Sequence, residues 1–345
     1  MLLTLPAAAA DDIDVDSLTD KLPASAQQYL GNAGPEDLGD EALLPRIGRQ
    51  AAEHLREALG HSCGTILVMM AVVLICSLSE SADSSGRASD YVLLAGVAAI
   101  GTAAVADVDS YMAETLRAME TLTDYSRVLM PVLAATAAAA GAVGSAAAKC
   151  AATAVFMDML LQLTTGLLIP VVCSYAALSI ANAALGSGAL KTAARLMKSA
   201  CTFLMGAMTT AFALWISVSG VITGSADAAA TRLTKTVLST ALPVVGRILS
   251  DASGALAAAA ASLRGMCGGF GLLAVLCICL SPLLELGLRY ILYKLCAAVC
   301  ASLTGGRLAE LLDHMGSCFG MLLGMTGAGA VFMYISVFSF MRIAA

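Results

Sequence analysis

From Ser62 to Leu78 the chain passes through Cys-Gly-Thr-Ile-Leu-Val-Met-Met-Ala-Val-Val-Leu-Ile-Cys-Ser-Leu without one charged side chain. A run of that length and apolarity is near the lower limit for a helix crossing a hydrocarbon layer. Comparable runs recur at about 91–106, 152–168, 171–186, 200–222, 266–281, 283–302 and 317–340. Only 13% of the 345 residues are charged and 59% are hydrophobic, with a mean hydropathy of +0.84. A soluble domain carries roughly 25% charged residues. The chain reads as an all-α polytopic membrane bundle with six to eight spans.

Its charge is unevenly spread. Asp11 to Ala58 hold eleven acids and four bases, while the rest is nearly balanced. Nucleic acid is excluded as a partner, because its recognition needs a basic surface. Residues 1–10, Met-Leu-Leu-Thr-Leu-Pro-Ala-Ala-Ala-Ala, look like a secretory signal remnant without a basic n-region. The acidic segment 11–58 is then expected outside the cytoplasm. It carries short helices at about Pro23–Leu30 and Leu44–Leu59, each with a proline in its first turn. The second is expected on the membrane surface. The segment is too small for its own core, so it reads as a docking element or gate.

Residues 59–128 hold the first two spans and an amphipathic helix. In that helix Met112, Leu116, Met119 and Leu122 recur among Asp109, Glu114, Arg117, Glu120 and Asp124. From Leu129 onward the chain repeats a pattern of proline followed by two aliphatic residues. Pro131 and Pro170 are 39 residues apart, and so are Pro243 and Pro282. These intervals suggest an internal duplication, about 129–222 and 241–341, joined by 223–240, with the second repeat running to the end at 345. Proline-broken helices in duplicated halves are a common build for membrane transport folds. On that pattern Pro131 and Pro243 open helices.

The stretch Leu242-Pro-Val-Val-Gly-Arg-Ile-Leu-Ser-Asp-Ala-Ser-Gly is the most informative. Arg247 and Asp251 stand four apart, with Ser250 and Gly254 beside their face and Pro243 and Gly246 marking a helix start or break. A charge at membrane depth is expensive and faces a bundle interior or water-filled path, unless it fixes a helix at the interface. Pathway lining and interfacial anchoring both fit these residues. Asp158 is isolated in an apolar run, and Arg247 is the first partner to test for it. Glu285 and Arg289 are four apart and expected to neutralise one another. Lys191, Arg195 and Lys198 place 187–199 on the cytoplasmic side.

The eleven cysteines are scattered through apolar runs, which argues against a disulfide framework or a metal site. His54, His61 and His314 read as solvated or interfacial. Neither Gly-x-Ser-x-Gly nor His-Glu-x-x-His occurs, so the residues point away from an enzyme, and no cofactor is expected.

Leu129-Met-Pro-Val-Leu, Leu168-Ile-Pro-Val-Val, Ile180-Ala-Asn-Ala and above all Leu242-Pro-Val-Val-Gly-Arg-Ile-Leu-Ser-Asp-Ala resemble the stage III sporulation protein AE family of endospore-forming bacteria. The resemblance implies a place in the secretion-like complex, or feeding tube, that joins mother cell and forespore. It implies partners too: the other stage III A proteins, among them an ATPase and ring-forming components, and a protein in the facing forespore membrane. The expected location is the mother-cell membrane around the forespore, with contacts to the lipid bilayer and self-association. Two functions are consistent with this: a channel- or permease-like subunit supporting transport, and a non-conducting scaffold that anchors the ring and ATPase components.

Overall fold

Apolar runs interrupted by few turn residues make long helices, and every regular element of the computed structural model is helical among the described residues. Those residues are 22–31, 34–39, 43–82, 87–241, 245–303 and 306–342; the side chains of 38, 39, 61, 80–82, 87–90, 219–241 and 245–257 are outside the described set. Helix α1 is Ala24–Leu30, followed by a 3-10 turn at Pro35–Gly39. Then come α2 (Leu43–Ala82), α3 (Arg87–Ala139), α4 (Val143–Leu163) and a π-helical segment at Thr164–Leu168. Helices α5 (Ile169–Leu185), α6 (Gly188–Ala241), α7 (Val245–Leu303) and α8 (Arg307–Met341) complete the chain.

Among the described residues six stretches are long and apolar enough to cross a membrane, the lower end of the expected range. Fewer spans result because runs that read as separate are fused. The runs at 152–168 and 171–186 lie in one stretch, Val143–Leu185, and the run at 91–106 continues through the amphipathic segment 109–128 and Pro131 as α3. The runs at 266–281 and 283–302 are likewise one helix, α7, with Pro282 inside it. Pro131 therefore does not open a helix. Each proline removes one backbone donor and leaves the ladder on both sides intact. At Pro170 the relief is visible: the π segment ends just before it, widening the turn whose carbonyls face the ring. Helix α2 also runs without a break from Leu43 into the first span, so the expected surface helix is its N-terminal portion.

The expected halves 129–222 and 241–341 each contain a long proline-bearing helical stretch and a further helix among the described residues. In the first half these are Val143–Leu185 and α6, and in the second Ala258–Leu303 and α8. Glycines of positive φ follow Pro170 at Gly186 and Pro282 at Gly306. Pro243, the expected counterpart of Pro131, lies outside the described residues.

Side chains on these helices gather into two apolar cores stacked along the helix axes. The first holds Met119–Ala137 of α3, Ala146–Leu160 of α4, Met208–Ile216 of α6, Cys267–Cys279 of α7 and Ala328–Phe340 of α8. Phe156, Phe212 and Phe332 meet there, the last two stacked at 4.4 Å between ring centroids. The second core holds Met69–Cys76 of α2, Val97–Met112 of α3, Leu168–Ala183 of α5, Leu286–Cys300 of α7 and Leu308–Met325 of α8. Helices α3, α7 and α8 run through both. Helix α1 seats Ala26, Tyr29 and Leu30 against α7 in the first core. At the outer end of the second core, Gly186 closes α5 with φ 65°, a left-handed residue whose N–H bonds Asn182 O.

Candidate functional site: a polar spine along α7

Between residues 281 and 294, helix α7 carries Ser281, Glu285, Arg289, Tyr290, Tyr293 and Lys294 within apolar sequence. Spacings of four put Ser281, Glu285, Arg289 and Tyr293 along one stripe, whose first two residues meet α2 and whose last two meet α3.

At its first turn His54 of α2 approaches both Ser281 (Nε2 to Oγ, 3.3 Å) and Glu285 (Nδ1 to Oε1, 3.8 Å). Tyr29 of α1 packs at the same level, and burial pushes its hydroxyl above its ordinary pKa. One turn on, Arg289 is 2% exposed and donates from Nη1 to Asp107 Oδ2 at 2.7 Å. Its Nε donates to Tyr111 Oη at 3.2 Å, and the guanidinium lies 5.1 Å from the Tyr111 ring centroid. Tyr293 donates to the same Asp107 oxygen at 3.0 Å. Asp107 and Tyr111 are four apart on α3, so two matched i, i+4 pairs face each other across the α3–α7 contact. A buried arginine with a carboxylate, a phenol and a ring face around it is neutralised and hydrogen-bonded, the condition under which burial of charge is tolerated.

The last turn reaches α8 and α6. Lys294 donates to Asp313 Oδ1 at 2.7 Å and to Ser317 Oγ at 3.1 Å, and Lys198 donates to the same Ser317 oxygen at 3.0 Å. Nearby, His314 bonds Tyr175 of α5 and faces Glu310, which pairs with Lys191 at 2.8 Å. Ser281 to Lys294 thus contact α2, α3 and α8 directly and α6 through Ser317, with Lys198 and Asp313 on the exposed side.

Several expected pairings are replaced. Glu285 and Arg289 do not neutralise each other; Arg289 reaches Asp107 and Glu285 faces His54. A long side chain chooses its partner by what the neighbouring helix presents, which i, i+4 spacing within one helix cannot encode. Asp158 pairs with Arg127 of α3 at 2.8 Å, and Arg127 also holds Asp124 at 3.0 Å; the side chain of Arg247, the partner first expected for Asp158, is outside the described set. His54 and His314 are hydrogen-bonded and largely shielded rather than solvated, while the side chain of His61 is outside the described set.

Pro131 is exposed within α3, Pro170 stands in the first turn of α5 and Pro282 is buried within α7, one residue after Ser281. Pro243 lies outside the described residues. Gly246, Arg247, Ser250, Asp251 and Gly254 belong to the first turns of α7, and their side chains are outside the described set. Asp107 and Tyr111 escaped notice in the sequence because they close an apolar run. A clue was present: an acid–tyrosine pair at four-residue spacing, matched by Arg289 and Tyr293. Among the described residues no three His, Cys, Asp or Glu side chains gather as a metal site.

Compared with known proteins, residues 36–344 match the family model described as stage III sporulation protein AE. The stage III sporulation protein AE of Bacillus subtilis (strain 168) is 26% identical over 286 residues, covering 80% of this chain and 70% of that protein. No solved structure matches.

Proposed function

The chain belongs to the stage III sporulation protein AE family, and from that membership we propose that it is a channel- or permease-like subunit of a secretion-like complex between mother cell and forespore. Family membership supports a role in sporulation, and six apolar helices make it a multi-pass membrane protein in architecture. Transport is the further step. The observation that favours it is the α7 spine, where Arg289 is buried against Asp107 of α3 and is flanked along α7 by the His54–Glu285 and Lys294–Asp313 contacts. Apolar packing would hold such helices together more cheaply, since a buried ion pair is often no more stabilising than a hydrophobic substitute. Ionisable groups inside a membrane bundle characteristically mark ion or substrate paths. In this reading Arg289 and Asp107 hold the α3–α7 seam, and movement along that seam alters access from one end of the bundle to the other. The complex sits in the mother-cell membrane with residues 11–58 outside the cytoplasm. An ATPase, ring-forming stage III A proteins and a forespore-membrane protein are its partners.

The scaffold reading needs only the folded chain, and this separates the two. Asp107→Asn with Arg289→Gln removes both charges and keeps hydrogen-bonding groups in place. We expect that double variant to accumulate to the wild-type level while spore yield falls at least tenfold. Wild-type spore yield at wild-type protein level would exclude the conduit reading in favour of the scaffold. The same comparison applies to Arg247→Ala with Asp251→Ala, the pair singled out in the sequence.

A further inference from the structure

The outer end of the spine opens into a cleft of about 330 Å³ between α6, α7 and α8, large enough for a small ligand group. Its charged end is built from Lys198 and Ser317, with Lys294 behind them. Both ammonium groups donate to the single Ser317 hydroxyl oxygen, and that hydroxyl itself donates to Asp313 O at 3.0 Å. Lys294 has a carboxylate, Asp313, at 2.7 Å. Lys198 is exposed, and among the described residues no acid lies within salt-bridge distance of it. Two cations converging on one neutral oxygen with one carboxylate between them leave a net positive site.

The other end of the cleft is apolar: Met205, Met321 and Leu323, with Gly324 leaving its wall open. A side chain at Gly324 would begin 3.3 Å from Met205 Cε, inside the cleft. Helix α6 changes character at this level. Its exposed Lys191, Arg195 and Lys198 give way to Cys201, Phe203, Leu204 and Met205. A cationic head joined to an apolar trough, at the point where a helix passes from polar to apolar surface, matches an anionic amphiphile oriented as in a leaflet.

We propose that the α6–α7–α8 cleft binds the phosphate headgroup of an anionic phospholipid at Lys198 and Lys294, with an acyl chain lying against Met205, Met321 and Gly324. The site requires membrane placement and is independent of whether the chain conducts. It gives the bundle a lipid that fixes α6 against α8 at the end of the spine.

The full chain, purified in neutral detergent, is titrated with phosphatidylglycerol, phosphatidylcholine or inorganic phosphate, and thermal unfolding and native mass spectra are recorded. Phosphatidylglycerol is expected to raise the melting temperature and to remain bound, while phosphatidylcholine and inorganic phosphate do neither. Lys198→Gln should weaken phosphatidylglycerol binding about fivefold, the effect of one interfacial lysine, and Lys198→Arg should restore it. Gly324→Leu, which keeps both lysines and fills the trough, should also lose the bound lipid. That variant decides the matter if Lys198→Gln is less stable without lipid. Equal effects of the two lipids, undiminished binding by Gly324→Leu, or reproduction of the effect by inorganic phosphate alone would each overturn the assignment.

Discussion

Arg289 shows how one side chain is made tolerable inside an apolar bundle. It is 2% exposed, and its charge is answered by Asp107, its Nε–H by Tyr111, and its face by the Tyr111 ring. Removing it leaves the partly buried Asp107 carboxylate without its cation, with Tyr293 donating to it. Arg289→Leu is therefore expected to destabilise by about 3–5 kcal/mol, as for other broken buried pairs. Replacing both members, Arg289→Met with Asp107→Leu, should recover most of that loss. Thermal unfolding in detergent measures both, and equal stability of the single and double variants would remove Asp107 as the partner. Arg127 makes the contrast. Its side chain is 58% exposed and that of Asp158 44%, so Arg127→Ala should lower the melting temperature much less than Arg289→Leu.

Helix contacts in this molecule depend on glycine at the places where two backbones come closest. A Cβ at Gly271 of α7 would stand 2.7 Å from Leu129 Cδ2 of α3, and one at Gly329 of α8 would stand 2.8 Å from Met119 Sδ. Leu129 is fully buried, so its end has little room to move. Small residues at such points let helices pack closely where lipid supplies no hydrophobic drive between them. Gly271→Val should cost roughly 1–3 kcal/mol by overpacking the α3–α7 seam. Gly265→Val, on the same helix with nothing within 4 Å of its Cβ, is the control and should leave unfolding unchanged. Matched losses at both positions would mean that helix propensity, rather than the seam, sets the effect. The same seam carries Arg289 and Asp107, so its spacing bears directly on the spine.

Across the whole molecule, length is the unusual quantity. Tyr91–Ala139, Val143–Leu185 and Ala258–Leu303 contain 49, 43 and 46 residues. At helical rise these reach about 65–75 Å, roughly twice a 30 Å hydrocarbon layer. The two stacked cores are the packing counterpart of that length, and His54, Ser281 and Glu285 lie near the level where one gives way to the other. Sidedness can be read with single cysteines in a cysteine-free background. Gln28→Cys on α1 should react with an impermeant thiol reagent in intact protoplasts, whereas Thr192→Cys, beside Lys191 and Arg195, should react only after lysis. Both positions are exposed in the fold. The reverse pattern would invert the proposed orientation and place residues 11–58 in the cytoplasm.

The sequence alone determined that this chain is helical and made for a membrane, because apolar runs without charge leave the backbone no other way to satisfy itself in lipid. It also determined that charges inside those runs carry information, and the residues Leu129-Met-Pro-Val-Leu and Leu242-Pro-Val-Val-Gly-Arg pointed to the family that the comparison establishes. Where helices end was decided by the tertiary structure. Pro131 and Pro282 read as breaks, yet packing on both sides carries α3 and α7 straight through them, since the loss of one donor is small against two cores of contacts. Partner choice was decided there as well. Spacing of four within a helix offered Glu285 to Arg289, but the guanidinium reaches past its own helix to Asp107, and Asp158 finds Arg127. Local periodicity reports which residues share a face; only the docking of one helix on another decides what that face meets.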